Sequence, residues 1–199
     1  MIKNIIFDLG NVLINYDFEL FFEKLGYQRG ERSLQEAHTE IFAFECGKMT
    51  IDDFLTALQK VYTSDLDADE FTEAWCDVFW ANEELLDIIP GLANDYRLMI
   101  LSNNDELHFP YIWEKYPALR IFPAQDIMIT SRLGYIKPDI KVYQEAVLQH
   151  DFHWHESIFI DDVKVNTEIA ASLGAATIWH RDNEVTIAEL KNRLNPLLA

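Results

Sequence analysis

Four short segments of this chain restrict the possible folds more than any other feature. Each segment places a polar or charged group just beyond an apolar run of the kind that forms a buried strand. The segments cover residues 4–8, 101–104, 134–138 and 158–162. In an open parallel sheet the carboxyl ends of the strands meet at one edge, where ligands bind. We therefore expect the following groups to converge there: the Asp8 carboxylate, the Ser102 hydroxyl, the Lys137 ammonium group, and the carboxylates of Asp161 and Asp162. Such a set is suited to a metal-assisted reaction through an aspartyl intermediate.

From about residue 83 onward, the hydrophobic pattern alternates between helix and strand. Strands are predicted at residues 98–101, 127–129, 158–160 and 176–179. Helices are predicted at residues 105–117, 139–150, 163–173 and 186–195. This alternation predicts an α/β fold with a doubly wound parallel sheet.

Residues 17–82 have a helical pattern instead. Apolar residues recur at helical spacing from Phe18, further helices are predicted to begin at Ser33 and Thr50, and another carries Trp75. No strand signal interrupts residues 17–80. The pattern predicts a block of four helices at residues 17–82, inserted into a core domain of residues 1–16 and 83–199.

The composition limits the partners of this 199-residue chain. Its net charge is −18, which disfavours nucleic acid and anionic membrane surfaces. Residues 17–88 hold 18 of the 34 acidic residues and 5 of the 16 basic ones. The ordinary explanation is a solvated helical surface, and the alternative is an acidic region that disfavours substrates with several negative charges. The sequence has no secretory pattern and no long apolar stretch, and we expect a cytoplasmic protein whose Cys46 and Cys76 are ordinary buried thiols. The oligomeric state cannot be predicted.

The four segments resemble the four motifs of the haloacid dehalogenase-like (HAD) hydrolase superfamily, in order and over the whole chain. The matching residues are Phe7-Asp8-Leu9-Gly10-Asn11-Val12, Leu101-Ser102-Asn103, Lys137-Pro138 and Ile160-Asp161-Asp162. Any one of these motifs alone is a weak signal, whereas four in order, each after a strand, form a specific one. The resemblance implies a Rossmann-like core with a small helical cap between the first and second motifs.

The resemblance also implies roles for individual residues. Asp8 would be the nucleophile that attacks phosphorus, and Lys137 would neutralise the charge between Asp8 and the phosphoryl group. Mg²⁺ would be held by an Asp8 oxygen, the Gly10 carbonyl and Asp162, with Asp161 as a second ligand through water or as an orienting neighbour. Which of the two adjacent aspartates contacts the metal stays open. The phosphate would be bound by Ser102, Asn103, Asn104 and Lys137.

Gly10 departs from the pattern of the superfamily's phosphatases, which carry a second aspartate two positions after the nucleophile. That aspartate protonates the leaving group and deprotonates the attacking water, and general acid–base help of this kind gives about 10²–10⁴-fold in rate. The sequence Asp8-Leu9-Gly10-Asn11-Val12 resembles the branch that contains bacterial α-D-glucose-1-phosphate phosphatases, so the absence of the second aspartate need not abolish hydrolysis. The candidates for a substitute are Asp17, Glu45 and Lys48.

The predicted function is therefore a Mg²⁺-dependent phosphatase for a small phosphorylated metabolite such as a sugar phosphate. Two alternatives stay open: a 2-haloacid dehalogenase with Asp8 attacking carbon, and a non-catalytic HAD-fold binding module. Three weaker site hypotheses are a metal clip, a sugar-facing aromatic face and a cap turn that points at the substrate. Their residues are His150, His153 and His155 for the first, Phe71, Trp75, Phe79 and Trp80 for the second, and Gly47 and Lys48 for the third.

Overall fold

A five-stranded parallel sheet forms the centre of the computed structural model, which describes residues 1–194. The order across the sheet is β5-β4-β1-β6-β7, so the chain turns from one side of β1 to the other between β5 and β6. The strands are β1 Asn4–Phe7, β4 Arg97–Ser102, β5 Ile127–Ile129, β6 Ser157–Asp161 and β7 Ala176–Trp179. The doubly wound parallel sheet predicted from the sequence is confirmed.

Side chains of alternating strand residues enter two separate hydrophobic cores, one on each face of the sheet. Ile5 and Phe7 of β1 belong to one core, whereas Ile6 packs in the other with Met99 of β4. Successive side chains of a strand point to opposite faces, and a strand covered by helices on both faces is apolar along its whole length. The apolar strands therefore specify a three-layer arrangement with the sheet in the middle.

The five-stranded sheet and the helices that pack on it are called the sheet domain below. Apart from α7, its helices match the predicted positions within a few residues. They are α5 Glu83–Leu92, α6 His108–Lys115, α7 Thr130–Leu133, α8 Ile140–His150, α9 Lys164–Ser172 and α10 Asn183–Leu194. The short helix α7 was not predicted, because four residues give no helical periodicity. The last helix was predicted to reach residue 195, which lies outside the described residues.

A two-stranded antiparallel ribbon, which the sequence analysis missed, joins the sheet domain to the helices that follow β1. It pairs β2 Ile14–Tyr16 with β3 Phe79–Ala81. The expectation that no strand interrupts residues 17–80 was wrong, since the fourth helix ends at Cys76 and β3 begins at Phe79, which pairs with Tyr16. Three-residue strands are too short to show an alternating pattern, and their stability comes from pairing with a partner that is distant in sequence.

The residues between these two strands, 17–78, are called the helical insertion below. Its helices are α1 Glu19–Lys24, α2 His38–Glu45, α3 Ile51–Val61 and α4 Ala68–Cys76. They enclose a largely aromatic core of their own, in which Phe21 and Trp75 have ring centroids 5.0 Å apart. Thr50 accepts a hydrogen bond from the Asp53 N–H at the start of α3, as its position before the apolar run predicted. The boundaries of a cap domain at residues 17 and 82 stay a prediction.

In the part of the chain that the structure describes, no helix has the length and apolarity needed to span a bilayer. Cys46 and Cys76 are both buried free thiols, as expected.

Candidate active site

Asp8 and Asp161 lie side by side because β1 and β6 are neighbouring parallel strands. Phe7 is in register with Ile160, and the Asp8 N–H donates to the Ile160 carbonyl at 2.8 Å. Each aspartate therefore stands at the carboxyl edge of its strand, at the point where the strand order reverses. This is where ligands bind in open α/β sheets.

Lys137 connects the two carboxylates. Its Nζ lies 3.0 Å from Asp8 Oδ1 and 2.7 Å from Asp161 Oδ2, and it also donates to the Leu101 carbonyl at 3.0 Å. Lys137 is 3% exposed and Asp161 is fully buried, so these charges are shielded from water and act strongly on one another. The lysine thus sits between two predicted catalytic segments and holds positive charge beside Asp8.

The two adjacent aspartates have different surroundings. Asp161 uses both carboxylate oxygens within the protein: Oδ1 accepts from the Val163 N–H at 2.8 Å, and Asn166 Nδ2 lies 2.9 Å from Oδ1 and 3.1 Å from Oδ2. Asp162 is half-buried and accepts a long hydrogen bond of 3.3 Å from Asn11 Nδ2. Asp161 is therefore largely satisfied by protein donors, whereas Asp162 keeps acceptor capacity for a further partner.

Asp8, Asp161 and Asp162 together form a carboxylate cluster. Each offers one oxygen, and these oxygens lie within 4.8 Å of one another. Burial raises the pKa of Asp8 to about 7, with Lys137 opposing the rise and Asp161 and Asp162 adding to it. Three carboxylates beside one lysine leave an excess of negative charge, and hard oxygen donors in this arrangement fit a divalent cation such as Mg²⁺.

The predicted phosphate-binding residues follow β4 at the same edge. Ser102 is buried, and its hydroxyl makes only a long contact of 3.4 Å to the Asn103 carbonyl. The Asn103 side chain accepts from the Lys137 N–H at 2.8 Å and donates to the Lys137 carbonyl at 3.1 Å. The Asn104 side chain accepts from the Asp105 N–H at 2.8 Å. Asn103 and Asn104 thus shape the loop, while the Ser102 hydroxyl is not held by a strong protein acceptor.

Gly10 lies in the tight loop after β1, where the Tyr16 ring covers it. A Cβ atom built on Gly10 would lie 3.0 Å from Tyr16 Cε1, which is closer than ordinary van der Waals contact. Burial raises the pKa of Tyr16 to about 12, and the charges of Asp162 and Asp8 add to this effect. The space that a side chain at position 10 needs is therefore largely filled by an aromatic ring.

A buried Asp105–His108 pair, missed by the sequence analysis, links the sheet edge to the helical insertion. His108 Nδ1 lies 3.1 Å from Asp105 Oδ2, and its Nε2 lies 3.2 Å from the main-chain carbonyl of Trp75 in the insertion. Burial alone would lower the pKa of His108, but the Asp105 carboxylate and the hydrogen bonds outweigh it and raise the pKa. The sequence signal was the i, i+3 spacing of an aspartate and a histidine at the start of a helix, directly after the Ser102 motif.

The residues of the three weaker site hypotheses lie in different surroundings. His153 and His155 stack on each other with centroids 5.3 Å apart, and His150 bonds the Gln125 carbonyl, so within residues 1–194 the three histidines do not form a metal cluster. Phe71 and Trp75 are core residues of the insertion, while Trp80 is exposed. Gly47 does approach the sheet domain: a Cβ built on it would lie 2.1 Å from the Ser131 carbonyl oxygen. Only glycine permits this close contact.

Comparisons with known proteins agree with this fold and site. The chain is 31% identical over 191 residues to D-ribitol-5-phosphate phosphatase of Bacteroides thetaiotaomicron, covering 89% of this chain and 91% of that protein. The magnesium complex of a HAD family enzyme from the same organism aligns with a TM-score of 0.76 at 26% identity, over 89% of this chain and 92% of that one. A HAD-like hydrolase of Porphyromonas gingivalis aligns over 98% of both chains with a TM-score of 0.78 at 24% identity, which supports the fold. No family model matches the chain.

The parallel sheet with buried carboxylates and a lysine at its carboxyl edge is an α/β architecture, and the relative that the protein resembles over nearly the whole chain is a phosphatase. The relative of known activity is aligned over nearly its whole length. The chain belongs to the HAD-like hydrolase superfamily, as its four motifs predicted.

Proposed function

We propose that this protein is a Mg²⁺-dependent phosphatase that hydrolyses a small phosphorylated sugar or polyol through an aspartyl-phosphate on Asp8. The observation that carries the proposal is the Asp8–Lys137–Asp161 arrangement, with Nζ–Oδ distances of 3.0 and 2.7 Å, beside the more open carboxylate of Asp162. A carboxylate is a weak nucleophile and an anionic phosphate repels it, so the reaction needs concentrated positive charge at this position.

Asp8 is the nucleophile in this proposal. Its oxygen forms a bond to phosphorus while the bond from phosphorus to the leaving oxygen breaks, and water later cleaves the aspartyl-phosphate. Lys137 lies 3.0 Å from Asp8 Oδ1 and offsets negative charge on the phosphoryl group as it approaches. Asp161 holds the lysine in place through its 2.7 Å contact and is a positioning residue.

Magnesium is the cofactor of the proposed reaction, and Asp8, the Gly10 carbonyl and Asp162 would hold it. Bound there, it would screen the phosphate charge from the nucleophile and orient the two reactants. Of the two adjacent aspartates, we propose that Asp162 is the one that contacts Mg²⁺ directly, because the oxygens of Asp161 already accept from Lys137, Val163 and Asn166. The neighbouring solved structure in complex with magnesium supports the choice of ion.

The phosphate oxygens are bound by donors that follow β4. The Ser102 hydroxyl is buried and weakly engaged, and it donates to phosphate. Because the Asn103 side chain is occupied by the main chain of Lys137, its contribution is the main-chain N–H. Asn104 supports this loop, since Thr130 Oγ1 accepts from its N–H at 3.1 Å and the Ser131 N–H donates to its carbonyl at 3.2 Å.

The helical insertion, within a cap of residues 17–82, closes over this edge and selects the organic part of the substrate. The relative that acts on D-ribitol 5-phosphate supports a polyol or sugar phosphate. The acidity of residues 17–88 favours a substrate with a neutral body and one phosphate over one with several anionic groups.

A panel of phosphorylated sugars and polyols, assayed with Mg²⁺ and again with a chelator, tests the proposal. We expect Mg²⁺-dependent release of phosphate from at least one polyol or sugar phosphate. Replacing the nucleophile by Asp8→Asn should lower turnover by roughly 10⁴-fold or more, the scale found when a nucleophile is removed. The exposed Asp95→Asn makes the same chemical change away from the site and should retain activity.

Three outcomes would overturn the proposal. Unchanged Mg²⁺-dependent turnover by Asp8→Asn would exclude the aspartyl nucleophile. Chelator-insensitive halide release from a 2-haloacid would identify a dehalogenase instead. Binding of Mg²⁺ and orthovanadate without turnover of any substrate in the panel would indicate a binding module.

A further inference from the structure

The proposed reaction lacks a proton donor at its usual place in the sequence. Gly10 has no side chain, and Tyr16 fills the space where one would extend. Alkoxide is a poor leaving group, so a sugar or polyol phosphate needs a donor near the leaving oxygen.

The direction of displacement indicates where this donor must lie. Attack at phosphorus runs roughly in line, so the leaving oxygen is on the side of phosphorus opposite Asp8. Asp8 stands at the carboxyl edge of the sheet, and the helical insertion lies over this edge: Trp75 accepts from His108, and Gly47 packs directly on Ser131. The donor is therefore expected on the insertion.

Of the three sequence candidates, two are less suited to this role. The Asp17 carboxylate pairs with Arg29 at 2.7 Å and accepts from the Glu19 N–H at 3.0 Å at the start of α1. Lys48 is exposed, with its Nζ 6.0 Å from the centroid of the Phe42 ring. Asp17 is therefore occupied by its partner, whereas Lys48 lines a surface pocket with Ile136 and Pro138, and a lysine ammonium group has no acceptor for the proton that the base must take in the second step.

Glu45 differs from both. It is the last residue of α2, two positions before the Gly47 contact with Ser131, and that contact docks the end of α2 onto the sheet domain. The Ser131 N–H in turn donates to the Asn104 carbonyl at 3.2 Å, so this docking point adjoins the predicted phosphate-binding loop. The Glu45 carboxylate lies near enough to Asp105, His108 and Lys137 for their charges to act on it, and no side chain among residues 1–194 donates a hydrogen bond to it.

We propose that Glu45 is the general acid and base of this enzyme, a proposal that rests on the phosphatase function above. In the first step Asp8 bonds to phosphorus, the bond to the leaving oxygen breaks, and the Glu45 proton passes to that oxygen to give an alcohol. In the second step the Glu45 carboxylate takes a proton from water, whose oxygen bonds to phosphorus. The Asp8–phosphorus bond then breaks, hydrogen phosphate leaves, and Asp8 and protonated Glu45 are restored.

The protonation state of Glu45 suits both steps. Burial raises its pKa to about 7, Asp105 adds to the rise, and His108 and Lys137 oppose it. Two further titratable groups lie near it, Tyr16 of β2 and the adjacent Cys46, and Glu45 helps to raise the pKa of each. A group with a pKa near the working pH can both donate and accept a proton during one turnover.

A comparison of two substrates tests the role of Glu45. The value of kcat/KM reports the steps up to departure of the alcohol, and 4-nitrophenolate departs without needing a proton. Glu45→Gln should therefore lower kcat/KM for D-ribitol 5-phosphate by about 10²–10⁴-fold and change that for 4-nitrophenyl phosphate by only a few-fold. Its kcat for the nitrophenyl ester should fall, with a burst of nitrophenol, because the second step loses its base.

Matched variants exclude a structural explanation. Glu40→Gln makes the same change on the same helix and should leave both substrates unaffected, and Glu45→Ala should reproduce the substrate-dependent loss. The fall of kcat/KM for the polyol phosphate above about pH 7 should be present in Glu40→Gln and absent in Glu45→Gln. Thermal unfolding of each variant checks that it is folded.

Each contrary result has a distinct meaning. If the wild type hydrolyses neither substrate with Mg²⁺, the phosphatase function fails and the role of Glu45 fails with it. If the wild type is active but Glu45→Gln lowers kcat/KM for both substrates equally, or for neither, Glu45 is not the acid although the phosphatase stands. If Tyr16→Phe, and not Glu45→Gln, lowers kcat/KM for the polyol phosphate alone, Tyr16 is the acid and the proposal is overturned.

Discussion

The sheet edge and the helical insertion hold their inward-facing charges in different ways. At the sheet edge, Lys137 is paired with Asp8 and Asp161 at 3.0 and 2.7 Å, and Asn166 and Val163 fix Asp161 further. In the insertion, the core is largely aromatic, and Glu45 makes no ion pair among residues 1–194, although the charges of Asp105, His108 and Lys137 act on it.

This difference indicates a division of labour. Buried charges that are paired and hydrogen-bonded keep one geometry, which suits a nucleophile and its neutralising lysine. Glu45 is half-buried and has no direct partner in the described part of the chain, and with a pKa raised to about 7 it can exchange a proton. The rigid part of the site therefore belongs to the sheet, and the proton-exchanging part to the insertion.

Among the four comparisons that separate the sheet edge from the insertion, the largest effect is expected from removing the positive charge at the sheet edge. Lys137→Met should lower turnover by about 10³-fold, because charge stabilisation at phosphorus is lost. It should also lower the free energy of unfolding by about 3 kcal/mol, since buried carboxylates lose their partner. Steady-state kinetics and urea denaturation measure the two effects. Lys141→Met, the same change at an exposed position of α8, is the control, and equal behaviour of the two variants would contradict the paired-charge account.

A second comparison separates the adjacent aspartates. Asp162→Asn should raise the Mg²⁺ concentration for half-maximal activity by about 10–100-fold, the range seen when metal sites are perturbed, with little change in stability. Asp161→Asn should instead lower the free energy of unfolding, because Lys137 loses a 2.7 Å partner. For both variants, magnesium titrations measure the Mg²⁺ requirement and urea denaturation measures the free energy of unfolding. The reverse pattern would make Asp161 the direct ligand.

The stability contributed by the Asp105–His108 pair, which links the two regions, should depend on pH. The pKa of His108 is raised in the folded state, so the stability it contributes is full below its unfolded value of about 6.5 and is lost as the pH rises through the folded value. His108→Phe should therefore be destabilised by about 3 kcal/mol near pH 6, with a smaller gap to the wild type at pH 9. Urea denaturation at both pH values measures the gap, with the exposed His153→Phe as control. A gap that grows with pH would show that His108 is neutral when folded.

The smallest effect is expected where the regions meet at the surface. Asp77 of the insertion contacts Lys24 at 2.7 Å, and Lys115 and Tyr111 of α6 at 2.5 and 3.0 Å. Because these groups are substantially exposed, Asp77→Asn should lower the free energy of unfolding by less than about 1 kcal/mol, and the loss should shrink in high salt. Hydrogen bonds from Lys115 and Lys24 lower the pKa of Asp77, so the contribution is present above its usual pKa and is lost on acidification. Asp65→Asn is the control, and a salt-independent loss would point to packing instead.

Most of the sheet domain could be predicted because its signals are local. Apolar strands such as β1 and β6 are recognisable from a few adjacent residues, and the motif residues follow them directly in the chain. The paired strands β2 and β3 could not be predicted, since each is three residues long and exists through the other. The Asp105–His108 pair was missed for a related reason: its significance comes from the Trp75 carbonyl, which belongs to a distant helix.

Lys137 lies in the loop between α7 and α8 rather than directly after a strand, contrary to the expectation from the sequence, and it reaches both carboxylates through tertiary contacts. The sequence by itself determined the parallel sheet and the positions of Asp8 and Asp161, because strand pattern and strand order bring these two residues together. It left two choices open: which adjacent aspartate keeps free acceptor capacity, and which of Asp17, Glu45 and Lys48 faces the site. Tertiary structure decided the first through the donors that Asn166 and Lys137 direct at Asp161. It narrowed the second through the close packing of Gly47 on Ser131. Both depend on contacts between residues far apart in the chain, whose distances no local pattern encodes.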